Sequence, residues 1–431
     1  MAKKIKLGLL GCGTVGTGVL KVLQENYHDI RAKIGNDIEV SKVLVRNLNK
    51  KRDFNGDVVF TDNIDDILND ESIDIVVELL GGIHPAREYM LKAMENGKHV
   101  VTANKDVLAQ FGKDMFDAAE KHDVDFMFEA SVAGGIPIIT PLKQCLTANK
   151  ITELIGIVNG TTNYMLTKMT EQGMDYDTAL ARAQAKGYAE ADPTADVAGL
   201  DAARKAAILS SIAFNTRVSL EDVKVEGITN ITPEDITYAK ELGYIIKLLA
   251  IAKHTEDGID VRVHPTFIDK DHPLASVRNV FNAIFIHGNA VGDTMFYGKG
   301  AGERPTASAV LADIIDVARD MGKDRFGKIR CTCYEEKKLC PPDKVLSGYY
   351  IRLLVEDKPG VLGAIATAFG ESNVSLYSVI QKRRVGEFSE IVAITHNVNN
   401  NQIEDLKVRL NKLDVVHEIS NIIRVVMSQE A

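Results

Sequence analysis

The first third of the chain alternates short, continuous apolar runs with stretches of helical periodicity. The runs Ile5–Leu10, Val40–Val45, Ile73–Leu79, His99–Thr102 and Val124–Phe128 predict strands. They are unbroken rather than alternating, the pattern of strands covered on both faces. Between them, Val15–Glu25, Asp65–Asn69, Pro85–Asn96 and Asp106–His122 predict helices. Strand and helix alternating at this spacing imply an α/β fold with a parallel, doubly wound sheet of Rossmann type.

Near residue 135 the pattern changes. Ala133-Gly-Gly-Ile-Pro137 is a cluster of chain breakers. Beyond it, strands over Ile151–Val158 and Val261–Phe267 and helices over Asp175–Lys186 and Gly199–Phe214 predict an α+β domain. A glycine-rich stretch runs from Gly288 to Gly302, then a helix over Ala307–Met321, then a linker-like loop over Lys328–Asp343. From Gly348 the order is strand, helix, strand, strand, helix, strand, which is the ferredoxin-like arrangement.

Composition narrows the function classes. A length of 431 residues suits about three domains at roughly 150 residues each. With 45% hydrophobic and 26% charged residues, disorder, collagen and coiled coil are excluded. No Trp, 6% aromatics and a net charge of −9 weigh against nucleic acid and anionic lipid as partners. Cys12, Cys145, Cys331, Cys333 and Cys340 are too few and odd in number for a disulfide framework, so a reducing cytoplasm is expected. No apolar stretch reaches the roughly 20 residues that span a bilayer. The segment Met1–Cys12 loosely imitates a lipoprotein leader, but its apolar core is shorter than the roughly 7–15 residues of such signals. A buried first strand accounts for the same residues.

That strand runs into Gly11-Cys12-Gly13-Thr14-Val15-Gly16, a G-x-G-x-x-G opening a helix. Gly11 permits a tight turn, Gly13 lets the backbone approach a pyrophosphate, and Gly16 lets helix and strand pack closely. The helix N-terminus then faces the phosphates. The second predicted strand ends at Val45 without the acid that would hold a ribose hydroxyl. Arg46 follows instead, with Lys50, Lys51 and Arg52 close behind. A cation there suits a 2′-phosphate, so NADP is favoured over NAD, against the alternative of a solvated basic turn.

Hydride exchange needs a proton donor and acceptor. Lys105 follows a strand in Thr102-Ala-Asn-Lys105, at the carboxyl edge where α/β sheets bind ligands. Lys205 lies on a predicted helix with Asp201 one turn before it, so the two share a face. Glu190, Asp192 and Asp196 precede that helix and together could hold an ammonium group. An exposed helical ion pair and a solvated acidic loop explain the same spacing.

The residues Gly11–Gly16, Thr102–Lys105, Glu129–Pro137, Asn159-Gly-Thr-Thr-Asn163-Tyr164, Gly187–Lys205 and Gly298–Gly302, in that order, resemble the homoserine dehydrogenases. The resemblance covers nearly the whole chain. The last domain looks like an ACT domain, and no aspartate-kinase segment is present, as in the monofunctional bacterial form. The implied domains are a dinucleotide domain over 1–135 that regains the chain at about 303–327, and a substrate and dimerisation domain over 136–302. A linker over 328–347 and an ACT domain over 348–431 complete them.

The resemblance implies reversible reduction of L-aspartate 4-semialdehyde to L-homoserine with NAD(P)H. It implies Lys205 as proton donor to the carbonyl oxygen, with Lys105 assisting. Glu190 and Asp201 would hold the substrate amino group, and Asn159, Gly160, Thr161, Thr162, Asp196 and Tyr188 would line its pocket. Gly302 would close against the cofactor. A lysine donating near neutral pH needs its pKa depressed, which burial and a neighbouring lysine supply and nearby carboxylates oppose. The family also binds a monovalent cation, here sodium, and the matching ligands are the Glu129 carboxylate and the carbonyls of Val132, Gly134 and Ile136. An all-oxygen set suits a hard cation.

In the ACT-like domain, the loops Asp357–Gly360 and Asn373–Ser375 would hold an amino-acid effector, threonine, at an interface between copies in a homodimer or homotetramer. Cys331, Cys333 and Cys340 lack a fourth ligand for zinc. Cys145 is expected in the core rather than as a nucleophile. The rivals are an aldehyde-to-acyl-phosphate dehydrogenase, which would need a nucleophilic cysteine, and a noncatalytic dinucleotide-binding amino-acid sensor, which would need neither lysine.

Overall fold

The computed structural model describes residues 4–321 and 331–426. Outside the described residues lie the head of the leader-like segment (1–3), the end of the first domain's expected return with the start of the expected linker (322–330), and the last residues of the terminal domain (427–431).

In chain order the elements are β1 (Ile5–Leu10), α1 (Thr14–Glu25), α2 (Tyr27–Ile34), β2 (Ile38–Leu44), β3 (Val59–Thr61), α3 (Asp65–Leu68), β4 (Ile75–Glu78), α4 (Ala86–Glu95), β5 (His99–Thr102), α5 (Lys105–Lys121) and β6 (Phe126–Met127). They continue with β7 (Ile151–Ile157), α6 (Gly160–Gln172), α7 (Tyr176–Ala185), α8 (Thr194–Val197), α9 (Leu200–Ala213), β8 (Lys224–Val225), α10 (Pro233–Glu241), β9 (Tyr244–Thr255), β10 (Gly258–Asp269), β11 (Phe281–Gly288), β12 (Gly292–Lys299) and α11 (Glu303–Asp320). The last are β13 (Leu346–Glu356), α12 (Val361–Glu371), β14 (Leu376–Val385), β15 (Phe388–Thr395), β16 (Val398–Asn399), α13 (Asn400–Leu410) and β17 (Val416–Val426).

The chain folds as two compact units. The first gathers Met1–Leu154, Arg204–Val223 and Phe281–Glu336. Its main sheet has the order β3-β2-β1-β4-β5-β6, with the pairs parallel throughout. This is the dinucleotide-fold order, with its switch point between β1 and β4. Leu7, Leu9, Ile75 and Val77 are fully buried, as expected of strands covered on both faces. One of those covers is α11. Its Ala307, Val310, Ile314 and Val317 recur at helical spacing and join Val19, Leu20 and Leu23 of α1 in one core. A Cβ on Gly18 of α1 would lie 2.5 Å from the Glu303 carbonyl oxygen, so α1 and α11 approach this closely only at a glycine.

The second unit gathers Ile155–Ala203, Lys224–Val280 and Lys337–Ala431. Its strands run in the order β9-β10-β17-β13-β15-β14. Within it β13, α12, β14, β15, α13 and β17 form the ferredoxin-like βαββαβ domain, with Ile351, Leu353, Ile365, Phe369, Ile403 and Leu406 in its core. A buried polar cluster ties α10 to that domain. Arg352 donates to Asp235 at 2.9 Å and to Glu390 at 3.0 Å, Tyr238 donates to Glu390 at 2.9 Å, and Tyr350 donates to Asp235 at 3.1 Å.

Some sequence expectations need correction. The glycine-rich stretch contains a full strand, β12, paired along its length with β11. Its low apolar content follows from its exposure on alternate residues. The linker-like loop is pinned in its described part by bridges from Thr216 to Glu335 and from Ile259 to Leu339. Cys145 is exposed rather than core, because the turn Pro141–Cys145 is a single wide π-type turn that buries only Leu142. Among the described residues, no helix is long and apolar enough to cross a membrane.

Candidate functional site

In the first unit the loop after β1 has the geometry expected from its glycines. Gly11 adopts φ +108°, reserved for glycine. A Cβ on Gly16 would fall 2.4 Å from the Gly11 carbonyl oxygen. Nothing lies within 4 Å of a Cβ on Gly13, so the backbone there faces open space. Gly13 and Thr14 are exposed, Cys12 and Val15 half-buried. Gly13 caps α1 without a side-chain hydrogen bond, which leaves the first amides of the helix directed at a ligand. These cradle features fit a dinucleotide pyrophosphate.

The basic cluster after β2 divides in two. Arg52 folds back, donating to the carbonyls of Asn47 and Lys50 at 2.8 Å each, and lies over the Phe60 ring. It therefore shapes the loop. Arg46, Lys50 and Lys51 remain exposed. Gly302, at the N-terminus of α11, adopts φ +130°. The neighbouring Gly300 has no room for a Cβ, which would sit 1.8 Å from the Asn282 side-chain oxygen.

At the carboxyl ends of β4 and β5 lies a buried polar network that sequence reasoning missed. Glu78 is fully buried. Its carboxylate accepts from the Thr102 hydroxyl at 2.6 Å and from the Leu80 and Gly81 amides at 2.8 and 3.3 Å. Burial raises the Glu78 carboxyl above its ordinary range, against the pull of those donors. The Thr102 hydroxyl oxygen accepts from the Asn104 amide at 3.0 Å, and the Asn104 side chain caps α5 by accepting from Val107 at 3.1 Å. Thr102 and Asn104 thus fix the turn that delivers Lys105, the first residue of α5. A carboxylate closing an otherwise apolar strand was the available signal.

Lys105 and Lys205 are both half-buried in this unit. Their sequence neighbours Asp106 and Arg204 form an ion pair at 2.8 Å. That pair ties the first turn of α5 to α9, so the two lysines are carried by helices joined beside them.

In the second unit Asn159 organises the acidic residues. It caps α6, accepting from the Thr162 amide at 2.9 Å, and its side-chain nitrogen donates to Asp196 at 2.7 Å and to Asp201 at 2.9 Å. Asp201 is buried on the first turn of α9, one helical turn ahead of Lys205. Thr161 donates to the Tyr188 carbonyl at 2.6 Å, and the Tyr188 ring meets Tyr164 edge-on at 5.0 Å. Gly160 opens α6. Glu190 is exposed in the loop between α7 and α8, its carbonyl held by Gln184 at 3.1 Å. Asp192 is a turn residue. Its carboxylate accepts from the Thr194 hydroxyl and amide at 2.6 and 3.0 Å, which lowers its pKa. Behind α6, Lys247 of β9 is buried and donates to the Asn163 side-chain oxygen at 3.0 Å and the Val277 carbonyl at 2.5 Å. Burial brings it down to about 8.

Glu129 follows β6 in the first unit. Its carboxylate accepts from the amides of Ile138, Ile139 and Thr140 at 2.6–2.9 Å. Its own amide donates to Asp313 of α11 at 2.8 Å, and Asp313, fully buried, has its carboxyl raised well above the ordinary range by burial. Val132, Gly134 and Ile136 are buried beside it, in a turn that includes Ala133 at φ +52°. The donor set is all oxygen and fits a hard cation, although the Glu129 carboxylate already holds the turn that follows. Among the described residues no cluster of three or more His, Cys, Asp or Glu side chains could bind a metal.

Three family models match. Homoserine dehydrogenase, NAD binding domain, covers residues 11–129; homoserine dehydrogenase covers 137–315; and the ACT domain covers 349–415. A homoserine dehydrogenase of Bacillus subtilis is 43% identical over 426 residues, 98% of each chain. The crystal structure of a homoserine dehydrogenase from Thiobacillus denitrificans superposes with a TM-score of 0.94 at 44% identity, covering 98% of each chain. A hyperthermophilic archaeal homoserine dehydrogenase in complex with NADPH matches with a TM-score of 0.63 at 26% identity, over 75% of this chain and all of that one.

Proposed function

The chain belongs to the homoserine dehydrogenase family, oxidoreductases acting on a CH–OH group, and from that premise we propose how its residues divide the work of interconverting L-homoserine and L-aspartate 4-semialdehyde. The observation that carries the reading is the gathering of Asp196 and Asp201 by Asn159, with Lys205 one turn beyond Asp201 on α9.

Asp201, with Glu190, holds the substrate ammonium, and Asn159 fixes the Asp201 carboxylate for that purpose. Asp196, Gly160, Thr161 and Tyr188 line the pocket. A bound dinucleotide supplies or takes the hydride at the carbon that bears the oxygen. Lys205 gives that oxygen its proton in reduction and takes it back in oxidation. Lys105, set by the Thr102–Asn104 turn, adds a second positive charge that stabilises the developing alkoxide.

The loop Gly11–Gly16 holds the pyrophosphate, and Gly302 closes on the cofactor. The open space over Gly13 and the exposed Arg46 support NADP, with Arg46, Lys50 and Lys51 receiving a 2′-phosphate. Sodium is the proposed cation, held by Glu129 and the carbonyls of Val132, Gly134 and Ile136, where it would fix the turn that packs against Lys299.

Threonine is the proposed effector of the ACT domain. The left-handed Gly360, which ends one candidate loop, and Asn373, which opens the other, support that reading. A homodimer or homotetramer fits the exposed Val291, Met295 and Tyr297 of the β11–β12 hairpin. A cytoplasmic setting suits five free thiols.

The test is NADPH oxidation with aspartate semialdehyde, run with and without phosphate. Turnover independent of phosphate, retained in Cys145→Ser and lost in Lys205→Met, is the expected result. A requirement for Cys145 in the reverse, phosphate-dependent direction would establish the acyl-phosphate rival instead.

A further inference from the structure

Behind the two lysines the first unit holds a narrow, partly open cavity of about 40 Å³ that the reaction does not use. Leu108 and Gly112 of α5 and Ile208 and Ser211 of α9 form part of its wall. These are the turns that follow Lys105 and Lys205. The segment Cys331-Thr332-Cys333 completes the wall, flanked by the Lys143 and Arg217 cations.

The two cysteines interact. Cys331 is half-buried and accepts from the Cys333 amide at 3.4 Å. The Cys333 sulfur lies 3.8 Å from the Ser211 carbonyl of α9. The hydrogen bond from the Cys333 thiol, then that amide, then Arg217 and Lys143, hold the Cys331 thiol down to about 6 in spite of burial. The Cys333 thiol, as the donor, is pushed up. The amide and the two cations favour Cys331 as the attacking sulfur, and Cys333, two residues on along the same cavity wall, is placed as the resolving thiol, the pairing that redox-reactive cysteines use. The other three cysteines differ. Cys145 is exposed on the surface, Cys12 lies beside the Thr17 hydroxyl, and burial raises the Cys340 thiol. A cavity of this size admits a few water-sized molecules. It has room for a hydroperoxide.

We propose that Cys331 and Cys333 form a hydroperoxide-reactive dithiol whose oxidation to an intrachain disulfide slows turnover by disturbing the wall behind both lysine helices. The Cys331 thiolate attacks one peroxide oxygen. The S–O bond forms, the O–O bond breaks, and the departing hydroxide takes a proton to leave as water. The Cys333 sulfur then attacks the sulfenic sulfur of Cys331, and the expelled hydroxyl leaves with the Cys333 proton as a second water. Two thiols lose two electrons, and the peroxide gains them. Forming the bond draws the Cys333 sulfur from the Ser211 carbonyl. The effect on turnover rests on the reading of Lys105 and Lys205 given above, and the chemistry at sulfur does not.

The experiment uses the full chain. Limiting iodoacetamide at neutral pH, followed by peptide mapping, should label Cys331 roughly ten-fold or more faster than the exposed Cys145. Equal rates would overturn the proposal. Stoichiometric hydrogen peroxide should then remove two hydrogens from the peptide bearing Cys331 and Cys333 and lower turnover several-fold, and dithiothreitol should restore both. Cys333→Ser should instead accumulate a sulfenic acid on Cys331 that dimedone traps. A peptide that keeps its hydrogens, or a disulfide that leaves turnover unchanged, would overturn the proposed switch. If the lysine variants show that Lys105 and Lys205 are not the reacting groups, the labelling and disulfide results stand unaffected, so the two readings fail separately.

Discussion

Asn159 donates to Asp201 at 2.9 Å while its side-chain oxygen caps α6. One residue thereby couples a helix start to the placement of a buried carboxylate. Asn159→Ala removes both. The lost cap should cost about 1 kcal/mol of stability. The loosened carboxylate should raise KM for homoserine by about ten-fold or more, since a hydrogen bond to a charged group contributes about 1.5–3 kcal/mol. Thermal melting and steady-state kinetics read the two effects separately. An unchanged KM with a lowered melting temperature would leave Asn159 a cap only.

Lys205 should behave as a group needed in the transition state. Lys205→Met should lower kcat by about 10²–10⁴ and leave NADPH binding, measured by fluorescence, close to wild type. Lys105→Met should fall in the same direction by less. Near wild-type turnover in Lys205→Arg would contradict a proton-donating role for Lys205.

The exposed Arg46 predicts a cofactor-selective effect. Arg46→Ala should raise KM for NADPH far more than for NADH, while Arg52→Ala, which loses the loop contacts, should weaken both. Equal effects of Arg46→Ala on the two cofactors would remove the case for a 2′-phosphate site.

The glycine loop predicts a steric failure. In Gly16→Ala the new methyl would meet the Gly11 carbonyl oxygen at 2.4 Å, so the turn must open. Dinucleotide affinity should drop by at least about ten-fold, while the position of Asp201, in the other unit, should keep homoserine protection against proteolysis unchanged.

Lys247 should make stability depend on pH. Burial lowers its pKa from 10.5 to about 8, so between these values the unfolded chain binds more protons than the folded one. Stability therefore rises with pH across that window. The full shift corresponds to about 3 kcal/mol. Relative to Lys247→Met, which cannot titrate, the wild type should gain stability as pH climbs from 8 towards 10.5, and the gap should stay constant below pH 7. Denaturant midpoints at a series of pH values check this. A pH-independent gap would show that Lys247 keeps its ordinary pKa.

Much of this was legible in the sequence where the signal is local. The parallel strands announce themselves as unbroken apolar runs, and the glycine loop works through residues two and three apart. Asn159 belongs to a recognisable motif and was expected at the pocket, but its partners Asp196 and Asp201 lie 37 and 42 residues away, so its anchoring of both carboxylates was invisible. Asp192 and Asp196 are equivalent as letters. Only folding turns one towards Thr194 and the other towards Asn159. Glu78 escaped notice because a single carboxylate at a strand end resembles any strand end until its three donors assemble. β12 was hidden because exposed strands lack the apolar continuity by which buried ones are read.

The close approach of α1 and α11 has a consequence for how the protein is made. Lys21 of α1 and Glu303 of α11 pair at 3.1 Å across 282 residues of sequence. At ribosomal speeds of about 5–20 residues per second, β1 and α1 wait on the order of 15–60 s before the helix that covers them emerges. The dinucleotide-binding half cannot mature first as the nascent chain lengthens. Cut off before Glu303, it would present Val19, Leu20 and Leu23 to solvent, so it is not a transplantable cassette, and a chain stalled in synthesis is left with a sticky apolar face for chaperones to shield.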